Sequence, residues 1–347
     1  MKKIIRLLLL TLFLFPSWGA AADPVKTVRA KSWVKEGLEY FSTQEYDKAI
    51  KAFTTAIAID PNLSSAYNNR GAAYEKKGQY DEAVADFSKA LALDPNYGNA
   101  HFNRGNTYEK KGQYDQAIGD HTQVIALEPK WVHAFNNRGS VYAKKGDFDK
   151  AIEDFTQAIF LDPNSANLLY NRGRIYEKIG QYDKAIRDLT QAIAMDPDPA
   201  PPYFCRGMAH WKKGLYDQAI GDLSRAIALD PQDAYAYSYR GSAYEKKGGY
   251  DQAVADFTQA ITLDPKDANA YNNRGNAYEK KGLHEKAIED FTKAIALNPD
   301  FADAYNNRGV AHHNLENNAQ ALKDLKNAAR LGSKGAQQWL SQMGEKW

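Results

Sequence analysis

Cysteine is all but missing from this sequence: Cys205 stands alone among 347 residues. That excludes an intramolecular disulfide framework and any cysteine-cluster zinc or iron–sulfur site. The motifs that announce common catalytic chemistries are missing too. There is no Gly-x-x-x-x-Gly-Lys phosphate loop, no His-Glu-x-x-His zinc helix, no Gly-x-Ser-x-Gly elbow and no Cys-x-x-Cys pair, so the sequence predicts a non-enzymatic chain without cofactor or metal. Neither sign of charge dominates. The formal balance is +2, and once Lys2, Lys3 and Arg6 are set aside with a removable N-terminal segment, 42 basic residues face 43 acidic ones. A near-neutral chain lacks the basic footprint of a general nucleic-acid binder.

Long apolar runs are scarce, with one exception at the start. Leu7 to Phe15 is apolar except for Thr11, follows the basic Met1-Lys2-Lys3-Ile4-Ile5-Arg6, and leads through Pro16-Ser17-Trp18-Gly19 to Ala20-Ala21-Ala22. The run falls short of the roughly 20 residues that span a bilayer. Residues 1–22 therefore read as a secretory signal cleaved between Ala22 and Asp23, leaving no stable membrane anchor. No cysteine follows the run to carry a lipid. The short, lysine-led form predicts a bacterial product that is periplasmic or secreted, where a lone cysteine is a sensible choice.

What the sequence has in abundance is repetition. Arg-Gly recurs at Arg70-Gly71, Arg104-Gly105, Arg138-Gly139, Arg172-Gly173, Arg206-Gly207, Arg240-Gly241, Arg274-Gly275 and Arg308-Gly309, each 34 residues after the last. Gly37 extends the phase backwards. After a lead-in at 23–29, nine repeats begin at residues 30, 64, 98, 132, 166, 200, 234, 268 and 302 and cover residues 30–335. In the second, Tyr67, Gly71 and Tyr74 fall on one helical stripe, and Ala83, Phe87 and Ala90 form the stripe of a second helix. Gly78 fits a left-handed C-cap, Asp81 an N-cap, and Asp94-Pro95 a stop. Such a helical hairpin has too little core to stand alone, so the pattern predicts an all-α solenoid of eighteen helices. Residues 336–347, with Trp339, Leu340, Met343 and Trp347, are expected to form a capping helix over its last apolar face.

These positions resemble the tetratricopeptide-repeat signature. Trp33, Gly37, Tyr40, Ala49, Phe53 and Pro61 match it in the first repeat, as do Tyr67, Gly71, Tyr74, Ala83, Phe87 and Pro95 in the second. The resemblance implies a right-handed superhelix of antiparallel helix pairs whose first helices line an inner groove. In that family the groove commonly captures extended peptides or the tails of other proteins.

Two residues depart from the signature together. Position 7 is Arg70, Arg104, Arg138, Arg172, Arg206, Arg240, Arg274 and Arg308, while position 23 is Asp86, Asp120, Asp154, Asp188, Asp222, Asp256, Asp290 and Asp324. The first repeat lacks both, with Glu36 and Ala52 in their places. Joint presence and joint absence mark them as partners across each hairpin, expected to fix its register as structural ion pairs while adding little stability.

With positions 4, 8 and 11 facing the core, positions 2, 5, 6, 9, 12 and 13 of each first helix are left free. Position 6 there is Asn69, Asn103, Asn137, Asn171, Asn273 and Asn307, with Asn68, Asn136, Asn272 and Asn306 at position 5. Amides supply donors and an acceptor, so such a row suits an extended peptide backbone. It is similar to the asparagine ladder of the O-linked N-acetylglucosamine transferase superhelix, although no transferase domain follows. A dedicated carboxylate clamp is not expected: Asn69, Asn103 and Asn106 match only its amide part, and Glu75, Glu109, Glu245 and Glu279 sit beside Lys76, Lys110, Lys246 and Lys280.

Repeat six breaks the rule. Prolines at 197, 199, 201 and 202 stiffen its start, Cys205 replaces the asparagine, and Phe204, Met208 and Trp211 occupy its free face beside Tyr170, Arg174, Tyr235 and Tyr239 of neighbouring repeats. Two readings stand at this point: anchors for a ligand, or side chains that fill a gap left by the prolines. His121, where neighbours have phenylalanine, is expected to be a satisfied core histidine, and His312-His313 to stack or face solvent rather than bind metal. The function expected is a non-enzymatic envelope adaptor that binds a protein or peptide, its identity unspecified, in the groove. A self-assembling scaffold and a cell-wall glycan binder are the alternatives, and the sequence leaves the oligomeric state open.

Overall fold

Every second-helix phenylalanine needs a place to go, and the glycine of the first helix supplies it. In a computed structural model, which describes residues 24–347, a Cβ added at Gly71 would lie 2.8 Å from Cε1 of Phe87, and one at Gly275 only 2.6 Å from Cε1 of Phe291. Both rings are fully buried. Without a side chain at position 8 the two helices close onto the ring, and the hairpin forms around that contact. Residues 1–22, read above as a secretory signal, lie outside the described residues.

The chain falls into two compact units that meet at Val141 and Tyr142. In the first, α1 (Pro24–Ser42), α3 (Ser64–Lys76) and α5 (Gly98–Lys110) are first helices, and α2 (Tyr46–Ile59), α4 (Tyr80–Leu93) and α6 (Tyr114–Leu127) are their partners. Helix α7 (Val132–Lys145) carries the boundary. The second unit continues with α8 (Phe148–Leu161), α9 (Ala166–Lys178), α10 (Tyr182–Met195), α11 (Ala200–Lys212), α12 (Tyr216–Leu229), α13 (Ala234–Lys246) and α14 (Tyr250–Leu263). It ends with α15 (Ala268–Lys280), α16 (His284–Leu297), α17 (Ala302–Asn314), α18 (Asn318–Arg330) and α19 (Lys334–Gln342). No strand occurs among the described residues. Each unit is a stack of helix pairs packed as in an α-solenoid.

Within each unit the stack bends. First helices of successive repeats touch, α3 with α1 and α5, and α11 and α15 with the first helices on either side. Second helices of successive repeats make no comparable contact among the described residues. The first helices therefore lie on the inner side of each bend, which the sequence alone leaves open.

Three local readings change. Helix α1 begins at Pro24, so residues 24–29, read as a lead-in, are helical. Asp81, read as an N-cap, sits inside the first turn of α4; the preceding residue is Gln79, and no side chain caps the helix. Its carboxylate instead meets Lys111 of the next repeat, and Asp47 meets Lys77 in the same way at 2.6 Å. Helix α19 starts at Lys334, with Ser333 accepting from the Ala336 amide, and ends at Gln342, so Met343 and Trp347 lie beyond it. Ala336 and Leu340 still join Leu325 and Ala328 in one cluster, covering the last apolar face. Gly78, with φ of +75°, ends the first helix in the left-handed region as its place in the repeat requires.

The Arg and Asp positions meet across the hairpins, and the arginine reaches further than the hairpin. Arg70 donates Nε to Asp86 Oδ2 at 2.7 Å and Nη2 to Oδ1 at 2.8 Å, and its Nη1 reaches Thr54 Oγ1 of the preceding repeat at 3.0 Å. Arg104 does the same with Asp120 and Ser88, and Arg240 with Asp256 and Ser224. Arg172–Asp188, Arg206–Asp222, Arg274–Asp290 and Arg308–Asp324 follow suit, each with the threonine of the repeat before. Arg138 sends Nη1 to Thr122 at 2.9 Å, and Asp154 is buried in the second unit.

The glycine contact has a direct test. Gly275→Ala should destabilise the chain by about 2 kcal/mol, because Phe291 has no room to yield, whereas Gly119→Ala, which meets open space in α6, should be neutral or stabilising by up to ~1 kcal/mol. Urea unfolding of both variants checks the pair; equal midpoints would refute the account.

Candidate functional site

The groove that the second unit offers lies along the inner sides of α11, α13 and α15. It has a volume of about 580 Å³ and is lined by Trp211 of α11, by Tyr235, Ser238, Tyr239, Ser242, Glu245 and Lys246 of α13, and by Asn269, Ala270, Asn273 and Asn276 of α15. Asp264 and Asp267, from the turn between α14 and α15, form its rim. Apart from Ala270 and these two aspartates, every lining residue occupies position 2, 5, 6, 9, 12 or 13. The wheel argument that left those positions free thus describes the wall of the groove.

Repeat six gives the groove Trp211, while Phe204 and Met208, expected on the same face, are not in its lining. Phe204 and Trp211 each pack edge-on to Tyr239, with ring centroids 5.8 and 5.9 Å apart. Phe204 also packs against the buried clusters around Leu189 and Leu223. Phe204, Met208 and Trp211 are half-buried rather than exposed, because the next first helix leans on them. Tyr235 is the open one, 67% exposed. Next to them, Tyr170 packs with Cys205 in the cluster around Leu189; burial pushes the Cys205 thiol up to about 11, and the exposed Arg174 lies 5.8 Å over the Tyr170 ring. A thiol held protonated in this way is no nucleophile near neutral pH.

The asparagines are largely engaged with one another. Asn103 Nδ2 donates to Asn68 Oδ1 at 3.0 Å, Asn137 Nδ2 to Asn106 Oδ1 at 2.8 Å, and Asn307 Nδ2 to Asn272 Oδ1 at 3.1 Å, each bond joining successive first helices. Asn69 accepts from Asn68 at 3.2 Å, Asn137 from Asn136 at 3.2 Å, and Asn307 from Asn306 at 3.4 Å. The row thus ties repeats together before it meets any ligand, and each amide nitrogen keeps a second N–H. Asn273 lies in the groove wall, and Asn171 is half-buried on α9.

Three models of one repeat recognise the chain. A tetratricopeptide-repeat model matches residues 64–97, 166–199 and 268–301, and another matches 87–119 and 291–323. A model described as TPR repeat matches 37–78, 139–180, 213–248 and 246–282. Together they span well over half of the chain. The chain belongs to the tetratricopeptide-repeat family.

Solved tetratricopeptide-repeat structures agree on the fold. The C-terminal part of a TPR repeat-containing protein from Cytophaga hutchinsonii superposes with a TM-score of 0.59 at 20% identity, over 69% of this chain and 98% of that one. A tetratricopeptide repeat protein from Parabacteroides merdae gives 0.54 at 21%, over 72% and 98%. MamA is 33% identical over 49% of this chain and 93% of its own, with a TM-score of 0.46. No curated protein sequence matches the chain.

Two carboxylates, Glu245 in the groove wall and Glu177 outside it on α9, were within reach of sequence reasoning but not singled out by it. Burial pushes Glu245 above the usual carboxylate range against the pull of Lys246 and Lys280, and burial does the same to Glu177 against Lys212 and Lys178. Both stand at position 12, where reading each glutamate only against its own neighbouring lysine hid the inter-repeat partner. Lys110 of the next repeat bridges to Glu75, and Asn314 Nδ2 donates to Glu279 at 2.6 Å. Ser238, Ser242, Asn269 and Asn276 fall on the same wheel positions and were equally legible.

The histidines divide. His313 stacks edge-on against Trp339 of the cap at 5.2 Å, and His210 shares Asp222 with Arg206, which together hold that carboxyl below its usual range in spite of burial. His121 is fully buried against Gly105, yet neither ring nitrogen has a hydrogen-bond partner, so the expected satisfied histidine is an unsatisfied one. Taking phenylalanine's place, it inherits an apolar socket with nothing to bond. Burial lowers its pKa from 6.5 to about 4. Above pH 6.5 both folded and unfolded chains carry it neutral; as pH falls, the unfolded chain binds the proton first, and stability is lost between those two values. His121→Phe should therefore raise stability, and between pH 7 and pH 5 it should lose about 2 kcal/mol less than the parent. Urea midpoints at the two pH values measure this, and parallel losses would remove His121 as the cause.

Proposed function

We propose that this tetratricopeptide-repeat protein is a non-enzymatic adaptor that holds an extended segment of a partner protein in the groove of repeats six to eight. The observation that carries this reading is the groove itself: a recess of about 580 Å³ whose wall is drawn mostly from first-helix positions that face away from the hairpin core. Its size lies within the ~300–1,000 Å³ common to ligand sites. It combines rigid aromatic faces with amide and hydroxyl groups that suit a peptide backbone. Panning a random peptide library on the chain from residue 23 should enrich binders. Among these, Tyr235→Ala should cost ten-fold or more in affinity with no change in melting temperature, since Tyr235 is exposed and supports no core cluster. Absence of any enriched peptide, or full affinity after the substitution, would defeat the assignment.

We also propose that the adaptor works outside the cytoplasm. Support comes from the sequence of residues 1–22 alone, with its basic start, short apolar run and Ala20-Ala21-Ala22. Edman sequencing of the exported protein should begin at Asp23. Material beginning at Met1 would overturn cleavage.

A further inference from the structure

Resting on that reading, we infer that the groove of repeats six to eight selects a basic side chain, arginine before lysine, from the segment it binds. The argument starts from a partner that is missing in one place and present in others. Position 12 of a repeat is answered by position 13 of the next: Lys110 pairs with Glu75, and Asn314 with Glu279. At Glu245 the answering residue is Lys280, which acts on it only through longer-range attraction, as does Lys246 beside it; no ion pair or hydrogen bond reaches the Glu245 carboxylate among the described residues. Glu177 is in the same state, with Lys212 lying over the Trp211 ring at 5.4 Å instead.

Both carboxylates act on the aromatic group. Glu245 lines the groove with Trp211, Tyr235 and Tyr239, and the charge of Glu177 reaches the Tyr239 hydroxyl. Asp264 and Asp267 add acid at the rim, against Lys246 as the lining cation. A partly desolvated carboxylate in one groove with the exposed Tyr235 ring is the arrangement a cation relieves, by charge and by its attraction to the ring quadrupole. Guanidinium fits better than ammonium because its plane stacks on a ring while its fork serves a carboxylate. An acidic segment would meet Glu245 without compensation.

The backbone around that side chain has partners too: Ser242, Asn269, Asn273 and Asn276 line the groove with hydroxyl and amide groups. An extended main chain carries acceptors and donors at every residue.

The test uses the panned library and one enriched peptide synthesised in two forms, with arginine and with its neutral isostere citrulline. Enriched peptides should carry Arg or Lys at a fixed position. The arginine form should bind at least ten-fold tighter than the citrulline form, and Glu245→Gln should erase most of that difference. Affinity of the arginine form should fall as salt rises. Peptides that bind in a Tyr235-dependent way but lack basic residues, or are acidic, would overturn the selectivity and leave the groove reading standing. A difference of the same size in parent and Glu245→Gln would also overturn it. If no peptide is enriched, the groove reading falls, and this inference with it.

Discussion

A ring pressed against a glycine governs this molecule. At Gly71 and Phe87, and again at Gly241 and Phe257, the absent Cβ lets the first helix close on the partner's ring. In repeats five and six a leucine replaces the phenylalanine and meets Gly173 and Gly207 as closely. The contact sets the distance between the two helices of a pair, and with it which side chains of the first helix can point anywhere but inward. Position 8 must be glycine, position 24 must be large, and six positions of the first helix remain uncommitted. The groove wall is made from those leftovers.

The arginine staple acts on top of this contact. A guanidinium can satisfy a carboxylate bidentately and still have an N–H to spare, and here the spare one goes to the hydroxyl at position 25 of the preceding repeat. A lysine, with one point charge and no fork, could not hold both. The first repeat has Glu36 and Ala52 in these places, and the first arginine of the series, Arg70, reaches back to its Thr54. Because desolvation offsets much of the attraction in such pairs, their effect is better described as alignment of one repeat on the next than as added stability.

Period and residue type made the helices, the glycine seat and the Arg–Asp partnership legible before any coordinates, because each depends on contacts at fixed sequence spacing. The third member of the staple was written just as regularly, as Thr54, Ser88 and Thr122, but a hydroxyl on a helix surface has no signature of its own. Asp81 misled as a cap because an aspartate at the start of a helix serves the dipole and a neighbouring lysine equally well. His121 misled differently. Its place in the repeat gave its burial, but whether a buried nitrogen finds a partner depends on side chains from the next helix, which no spacing rule supplies. The direction of the bend was invisible for the same reason, since it follows from how closely successive first helices approach.

The groove sits where the repeat rule is broken, and that is the deeper connection between fold and site. In repeats two to four, and again in eight and nine, amides at positions 5, 6 and 9 bond from one first helix to the next. Repeats six and seven have Cys205 and Tyr239 in the amide row, so that bond is not available there. Phe204, Trp211 and Tyr239 hold the helices instead, by edge-to-face packing. Rings are bulkier than amides and leave space beside them. Trp211 also takes the position-12 place that a glutamate fills in most repeats, so Lys246 has no carboxylate behind it. One run of substitutions therefore opens the recess and lines it with aromatic faces, beside a Glu245 that Lys280 attracts without contact. A repeat array binds something in particular only by ceasing, somewhere, to repeat.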